Sequence, residues 1–321
     1  MILLNKTKID TKIIMAPMSG HTDLPFRAII NSYGCRFSFL EMIDSISLVY
    51  NNKKSCRMLE FGPKDNDLGA QVLGSDPSIT AEAAHIIINR SKPKIIDLNC
   101  ACPVKKIIKK RAGAYLLKYP NKAAKIIKKM VVSLKTPVTI KIRLGWSKRD
   151  SKEGLKLAKI AQENGVSAVF VHGRTVTQGY SGRVDYDSIL EIKKSLKIPV
   201  IASGDVLSPE LANELFLRTG CDGILVARGA LGRPWIFRQI SEYLKKGTVP
   251  FHTPPLSEIK KVARKHIKEY IKWRKGPERF AIGQLRKIAM WYAKGMPNAR
   301  RMRDNITRAA CYKSILDIFY G

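Results

Sequence analysis

Short apolar runs rich in β-branched residues recur along the first two-thirds of the chain, with longer segments of helical periodicity between them. This alternation is typical of a parallel sheet with crossover helices. The eight predicted strands span residues 13–18, 36–41, 68–73, 94–99, 138–143, 168–172, 199–203 and 223–227. The predicted helices between them span residues 24–33, 78–89, 122–134, 151–164, 187–195 and 208–218. Eight such units in about 230 residues indicate an α/β fold of the (β/α)8 TIM-barrel type rather than a doubly wound sheet.

The pattern changes after Trp235, where apolar strands no longer occur. A proline-rich joint at residues 252–255 is followed by amphipathic segments, which predict helices over residues 256–273, 280–293 and 299–320. A single core stops growing near about 250 to 300 residues, so two folded units are expected. We predict a barrel domain over residues 1–250 and a small all-α helical-bundle domain over residues 251–321.

The net charge is strongly positive, because 58 Lys and Arg residues stand against 26 Asp and Glu residues and give a formal charge of +32. Such an excess favours a polyanionic partner, and the alternative is a compositional bias toward Lys on solvated faces. The last third of the chain favours phosphate contacts, since it concentrates Arg, whose planar guanidinium binds phosphate in bidentate fashion. The arginines in question are Arg286, Arg300, Arg301, Arg303 and Arg308.

The six cysteines form no disulfide framework and show no metal-binding spacing, which favours a reducing cytoplasm and no bound metal. No apolar stretch has the length of a signal peptide or a membrane span, so we expect a protein that is neither secreted nor membrane-spanning. Cys102 stands out among the six, because it follows the fourth predicted strand almost directly.

Polar residues mark the C-terminal ends of the predicted strands, which is where TIM barrels carry their reactive groups. These residues are Gln71, Asn99, Lys141, Arg143, His172, Arg174, Ser203, Asp205 and Arg228. Turns with Gly204 and Gly229 follow the last two strands and suit a phosphate, because Gly lets backbone N–H groups approach an anion. Tight turns also use Gly for conformation alone, so the two glycines leave both interpretations open.

Seven ordered motifs run along the chain. They are IMAPMSG at residues 14–20, DLPFR at 23–27, DLNCACPVKK at 97–106, KIRLGW at 141–146, HGRT at 172–175 with QGYSG at 178–182, ASGD at 202–205 and ARGA at 227–230. In order and spacing these motifs resemble those of the tRNA-dihydrouridine synthases, with the greatest similarity to the bacterial B-type branch. The resemblance covers essentially the whole chain.

The resemblance implies an FMN-binding barrel followed by a helical domain that binds tRNA, with NADPH or NADH as the reductant. Ala16, Pro17 and Met18 would pack beneath the isoalloxazine ring, and Gln71 and Lys141 would bond its polar edge. The other residues implied for the cofactor site are His172, Ser203, Gly204, Asp205, Ala227 and Arg228. A cation near the pyrimidine side of the ring favours the anionic reduced flavin, which gives Lys141 a chemical purpose.

The implied reaction adds a hydride to carbon 6 and a proton to carbon 5 of a uracil ring. By the family match Cys102 is the proton donor, whereas Cys100 is assigned to packing. Asn99 would hydrogen-bond the uracil, and Arg174 would hold the base or a neighbouring phosphate. His172 and Lys141, as cations or as neutral donors, would stabilise charge that develops on a base carbonyl.

The helical domain is expected to contact RNA by shape and phosphate rather than by sequence. Its proposed contacts are Arg286, Arg300, Arg301 and Arg303. Trp291 and Tyr292 belong either to this surface or to the core of the bundle. We therefore expect a cytoplasmic monomer whose partner is tRNA, without a membrane or metal partner.

Three residues depart from the family pattern: Ala101 where Gly precedes the catalytic Cys, Ser203 where Asn precedes Gly-Asp, and Arg111 where a small residue is common. Ala101 restricts the backbone beside Cys102. Two other functions stay open. One is a small-molecule FMN oxidoreductase of the dihydroorotate dehydrogenase type, which would not need the basic helical domain. The other is an inactive RNA-binding barrel, against which the joint presence of a thiol, Lys141 and His172 argues.

Overall fold

Eight parallel strands close into a barrel in the computed structural model, which describes residues 1–63, 65, 67–248 and 253–320. In chain order the strands are β1 (Ile2–Leu4), β2 (Thr7–Ile9), β3 (Ile13–Met15), β4 (Phe37–Asp44), β5 (Asp67–Leu73), β6 (Ile95–Cys100), β7 (Val138–Arg143), β8 (Ala168–His172), β9 (Val200–Ser203) and β10 (Gly223–Val226). Strands β3 to β10 form the barrel, which closes where β10 pairs with β3. The prediction of a TIM barrel is confirmed.

The hairpin of β1 and β2 covers the N-terminal end of the barrel. Ile2, Leu4 and Ile9 join the cluster that fills the barrel interior, together with Phe39 and Phe170. Those two rings meet edge to face with centroids 5.5 Å apart. The sequence pattern did not predict this hairpin, because three-residue strands are too short to show an alternating period.

Helices alternate with the strands and cover the barrel wall. They are α1 (Leu24–Asn31), α2 (Ser45–Val49), α3 (Lys53–Arg57), α4 (Pro77–Ser91), α5 (Lys105–Lys109), α6 (Tyr115–Lys118), α7 (Pro120–Ser133), α8 (Glu153–Glu163), α9 (Tyr186–Ser195), α10 (Pro209–Thr219) and α11 (Ile236–Lys246). The side chains of Asp23, Asp76, Asp185 and Ser208 cap four of them by accepting backbone hydrogen bonds. The six predicted helices are present, but the pattern missed α11 and the four helices of five residues or fewer.

The helical domain consists of α12 (Leu256–Arg274), α13 (Ile282–Ala293), α14 (Ala299–Arg308) and α15 (Tyr312–Asp317), with a 3-10 turn at Glu278–Phe280. Its predicted all-α character is therefore present. The predicted boundary between residues 250 and 251 lies outside the described residues. Among the helices described, none is long and apolar enough to cross a bilayer.

The prediction of one helix over residues 299–320 is wrong, because the chain turns between α14 and α15. Ile306 and Ile315 are both fully buried in the core of the domain. In a straight helix, residues nine apart would face opposite sides. The turn lets both side chains enter one core, and no Gly or Pro marks it in the sequence.

The helical domain packs directly on the first helix of the barrel. Ile29 of α1 belongs to the same buried cluster as Val262 and Ile267 of α12. The Tyr33 hydroxyl donates to the Glu258 carboxylate at 3.2 Å. The two domains therefore share part of one core rather than touching only through polar surfaces.

Candidate active site

The loop that follows β6 carries Cys102 and is held by hydrogen bonds at both ends. The side-chain oxygen of Asn99 accepts from the backbone N–H groups of Ala101 (3.0 Å) and Cys102 (2.9 Å), in a turn that Asn forms readily. The carbonyl of Cys102 accepts from the N–H of Ala114 at 3.0 Å. Gly113 leaves room for this contact, since a Cβ there would lie 2.9 Å from that carbonyl oxygen. The backbone around Cys102 is thus fixed from two sides.

A chain of buried hydrogen bonds orients Asn99. Its Nδ2 donates to Oε1 of Gln71 at 2.7 Å, and Nε2 of Gln71 donates to Asp97 at 2.7 Å. The hydroxyl of Thr139 donates to the other oxygen of Asp97 at 2.7 Å. Burial raises the pKa of Asp97 to about 7, although its two donors favour the carboxylate. Asn99 and Gln71, which the family resemblance assigns to substrate and cofactor, are therefore already engaged in positioning the thiol loop.

The thiol of Cys102 is partly buried. Burial raises its pKa, and the backbone N–H of Val104 together with the charges of Arg143 and Lys141 opposes that shift only in part. The thiol therefore carries its proton at neutral pH. Cys100 differs, because it lies fully buried between the barrel wall and the helices, and burial raises its pKa well above the ordinary range. This position agrees with the assignment of Cys100 to packing.

Two buried nitrogen groups lie within electrostatic reach of each other at this end of the barrel, and the second of them lacks a hydrogen-bond partner among the described residues. One is the ammonium group of Lys141, whose pKa is lowered to about 8 by burial and then by the neighbouring Arg143. The other is Nε2 of His172. Burial and the surrounding cations lower the pKa of His172 well below its usual value, which favours the neutral ring over the cation of the two forms considered for this residue. Buried polar groups are normally paired, so the unpartnered Nε2 of His172 indicates a polar ligand at the barrel mouth.

Arg143 joins two loops of the site. The sequence had singled it out only as a polar residue at the end of a predicted strand. Its Nε donates to the carbonyl of Ala101 at 3.0 Å, and its Nη1 donates to the carbonyls of Thr175 and Gly179, each at 2.8 Å. The loop of Cys102 is thereby tied to the loop after β8. Ala101 itself lies outside the left-handed region, so Ala in place of the family's Gly introduces no backbone strain here.

Arg174 does not face a substrate in this structure. The residue is 1% exposed, and its guanidinium donates to the carbonyls of Ser181 (3.0 Å) and Gly182 (2.6 Å) and to the Asp205 carboxylate (3.1 Å). Hydrogen bonds from Arg174, and a further one from Arg228, lower the pKa of Asp205. Arg174 therefore holds the loop after β8 against the turn after β9, and the substrate contact implied by the resemblance is not supported by its position.

The turns after β9 and β10 pack against neighbouring chain. A Cβ at Gly229 would lie 2.1 Å from the carbonyl oxygen of Val206, and a Cβ at Gly204 would lie 2.8 Å from Val184. Close packing therefore explains why both positions are glycine, whether or not a phosphate binds beside them. Ser203, which departs from the family pattern, is buried and donates to a backbone carbonyl of β8 at 3.1 Å.

The loop after β3 forms the part of the mouth next to the turn after β10. The N–H of Ala16 donates to the last carbonyl of β10 at 2.8 Å, which brings this loop beside Ala227. Pro17 and Met18 are half-buried there. Arg228 is nearly half exposed, and its guanidinium lies 4.5 Å from the ring centroid of the exposed Tyr180.

A family model described as dihydrouridine synthase matches residues 14–316 of the chain. The chain belongs to the dihydrouridine synthase family. The tRNA-dihydrouridine synthase B of Pseudomonas aeruginosa is 38% identical over 302 residues, which cover 94% of this chain and 89% of that protein. The probable tRNA-dihydrouridine synthase of Rickettsia conorii is 38% identical over 307 residues, which cover 95% of this chain and 91% of that protein.

Two solved structures share the barrel fold with this member of the dihydrouridine synthase family. The BexX/CysO complex of Amycolatopsis orientalis superposes with a TM-score of 0.51 at 16% identity and covers 79% of this chain and 98% of that chain. The histamine dehydrogenase of Rhizobium sp. 4-9 gives a TM-score of 0.54 at 12% identity, with 83% and 50% covered. At such identities the likeness concerns the fold alone.

The arginines that were expected to bind RNA divide into two groups. Arg300, Arg301 and Arg303 on α14 are exposed, and within the described part of the chain no hydrogen bond or salt bridge engages them. Arg286 instead donates from Nε and Nη2 to the carbonyl of Ala309, at 3.1 and 2.8 Å, and so holds the C-terminal end of α14. Arg286 is therefore structural in this dihydrouridine synthase.

The positions of Trp291 and Tyr292 favour a role in packing over a role on an exposed RNA-binding surface. Tyr292 is 1% exposed and its hydroxyl lies 3.1 Å from Nδ1 of the buried His266. Trp291 is half-buried and stacks on His21 with ring centroids 5.2 Å apart. Sequence reasoning could not separate the two cases, since an aromatic pair on an amphipathic helix fits either.

Proposed function

We propose that this chain is an FMN-dependent tRNA-dihydrouridine synthase that reduces the 5,6 double bond of uridines in tRNA, with NADPH or NADH as reductant. One observation carries the proposal: a partly buried, protonated thiol lies within electrostatic reach of Lys141, and the neighbouring His172 keeps a buried Nε2 that lacks a partner among the described residues. The membership of the dihydrouridine synthase family supports the same activity.

The donor set at the barrel mouth fits a flavin. Lys141 carries a positive charge below pH 8, and the neutral His172 adds a ring nitrogen, so both could bond the polar edge of the isoalloxazine. Ala16 and Met18 belong to the apolar cluster of the barrel interior, and with Pro17 they offer an apolar surface at the same end of the barrel. The ribityl and phosphate groups would lie near Ser203, Gly204, Asp205, Ala227 and Arg228. Bound FMN, once reduced, supplies the hydride.

Cys102 supplies the proton in this proposal. As carbon 6 of the uracil accepts the hydride, the thiol gives its proton to carbon 5, and the ring gains two hydrogens in all. The thiolate left behind is stabilised by Arg143 and Lys141 until solvent returns the proton. Asn99 keeps the thiol loop in place during this exchange, because its side-chain oxygen holds two successive N–H groups.

A uridine in folded RNA must leave its stack before it can enter the barrel mouth. The exposed ring of Tyr180, flanked by Arg228 and Arg143, offers a surface for an extruded base at the rim. The exposed arginines of α14 would bind phosphates on the RNA. We propose that the enzyme acts on tRNA in the cytoplasm as a monomer, and the positions reduced depend on how the helical domain orients the RNA.

Mapping dihydrouridine in tRNA from cells that lack the gene tests this function. One or more positions should lose the modification, and a plasmid carrying the wild-type gene should restore it. A plasmid carrying Cys102→Ala should not. Unchanged dihydrouridine at every position would contradict the proposal, provided that no second family member in those cells covers the same positions.

A further inference from the structure

The loop after β3 ends in a closed turn built on Met18. The carbonyl of Met18 accepts from the N–H groups of His21 (3.0 Å) and Thr22 (3.1 Å), and its own N–H donates to the Thr22 hydroxyl at 3.1 Å. Residues 18–22 are therefore linked closely enough to move as one unit. Any force on the tip of this turn reaches Met18, which packs beside the barrel mouth.

Gly20, at the tip of the turn, is held from both sides. Its N–H donates to the buried carboxylate of Glu41 in β4. Its carbonyl accepts from Nε2 of Gln284 at 2.7 Å and from Nζ of Lys287 at 3.2 Å, and both donors lie on α13. Gly20 has φ +68°, a conformation that favours glycine. A single peptide segment thus connects the barrel wall, the mouth loop and the helical domain.

The helix that supplies these donors is itself firmly placed. Leu285, Ile288 and Tyr292 of α13 are almost completely buried in the core of the helical domain. Its Trp291 stacks on His21 of the turn, with an angle of 17° between the rings. The position of α13 therefore determines where the turn can lie.

We propose that α13 supports the cofactor site from outside, with Gln284 and Lys287 as positioning residues that hold Ala16 to Met18 in the conformation that accepts FMN. This inference rests on the proposed flavin function. Neither side chain touches the barrel mouth itself, and both act through the carbonyl of Gly20. Without the two donors, that carbonyl loses its partners and the turn gains freedom that flavin binding must remove.

The test compares FMN binding by the full-length wild-type protein and the double variant Gln284→Met with Lys287→Met, both stripped of flavin and titrated with FMN. Methionine matches the length of glutamine, is one atom shorter than lysine, and removes the donor in both. We expect the dissociation constant to rise about tenfold, which corresponds to about 1.4 kcal/mol. Lys294→Met is the matched control, because Lys294 is exposed at the end of the same helix and should leave affinity unchanged.

Replacement of Lys287 by Arg retains a donor and should recover most of the FMN affinity that Lys287→Met alone loses. If the effect were merely structural, FMN affinity would not depend on whether residue 287 carries a donor. Circular dichroism of the flavin-free proteins should show the same helix content in all variants. Equal FMN affinity in the folded double variant and the wild type would overturn the inference. Failure of the wild-type protein itself to bind FMN would overturn the proposed function, and this inference with it.

Discussion

The barrel mouth and the arginine surface of the helical domain are both rich in polar side chains, yet they are built differently. At the mouth the polar groups are buried, and hydrogen bonds from neighbouring strands fix them, as with Asn99, Gln71 and Asp97. On α14 the side chains of Arg300 and Arg303 are exposed, and no described residue pairs with them. The first region is organised before any ligand arrives, whereas no internal bond among the described residues fixes the side chains of the second.

This difference shows which residue roles can be predicted from the local sequence pattern. A buried polar network demands particular residue types at particular spacings, so its members form motifs. Exposed arginines make no hydrogen bonds inside the protein that would require particular spacings. Their spacing in the sequence therefore says little about what they contact. Arg286 illustrates the limit, because it lies in the same Arg-rich region and binds a carbonyl of its own domain.

Exchange of the thiol should produce the largest effect in the organised region. Cys102→Ala should lower kcat for dihydrouridine formation by about 10² to 10⁴-fold, because a positioned general acid contributes that much, while FMN binding should persist. Cys100→Ala is the control, since that thiol is fully buried behind the barrel wall and its loss should leave most of kcat. Turnover that survives in Cys102→Ala but fails in Cys100→Ala would reverse the assignment.

Loosening the loop without removing the thiol should produce the next largest effect. Asn99→Ala removes the acceptor for two N–H groups, and misplacement of the thiol by about 1 Å should lower kcat by about 100-fold. Asn99→Asp keeps the acceptor and loses the Nδ2 donor to Gln71 and to Met42 Sδ, so its loss of kcat should be smaller, about tenfold. Steady-state kinetics of dihydrouridine formation give kcat for the two variants and show which of them loses more. If Asn99→Asp were the more damaged variant, contact with the substrate rather than loop positioning would be the main role of Asn99.

On the arginine surface of the helical domain, joint replacement of Arg300, Arg301 and Arg303 by Gln should weaken tRNA binding about tenfold. It should also lower the slope of log affinity against log salt by about 2 to 3, since each lost phosphate contact removes about 0.9. The matched control replaces Lys125, Lys128 and Lys129, which are exposed on α7 of the barrel wall, with the same loss of charge. Equal slopes for the two triple variants would show that the protein's overall charge, not this surface, accounts for binding.

The smallest effect concerns pH at the barrel mouth. Burial places the pKa of Lys141 at about 8, so its positive charge is present below that value and is lost as pH rises through it. The rate should therefore fall to about half near pH 8, below the pH at which the thiol of Cys102, with its raised pKa, loses its proton. Lys141→Arg should move this decline to higher pH. A decline that stays in place in that variant would assign it to another group.

Much of the fold and part of the site could be predicted from the sequence. The strand period repeats eight times, and barrel closure brings the strand ends together, so the positions of Lys141 and His172 predict that both lie at the barrel mouth. The role of Cys102 came from the family resemblance instead. Asp97 was missed as a site residue because its partners, Gln71 and Thr139, lie on adjacent strands and meet it only in the closed barrel.

Other features depend on how loops fold, which local sequence does not specify. Arg174 ends a strand beside the mouth, yet the loop after β8 folds back and takes up its donors. Gln284 and Lys287 lie far along the chain from Gly20, and only the docking of α13 on the barrel brings them to its carbonyl. The turn between α14 and α15 likewise follows from packing of Ile306 and Ile315 in one core.

A single-turnover experiment tests the central claim most directly. The purified protein, with its flavin reduced and oxygen excluded, is mixed with tRNA that lacks dihydrouridine, and flavin oxidation is followed by absorbance while dihydrouridine is measured by mass spectrometry. Our account predicts that each flavin oxidised yields one dihydrouridine, and that Cys102→Ala slows both together. Flavin that stays reduced in the presence of tRNA, or that is oxidised without any dihydrouridine being formed, would contradict it.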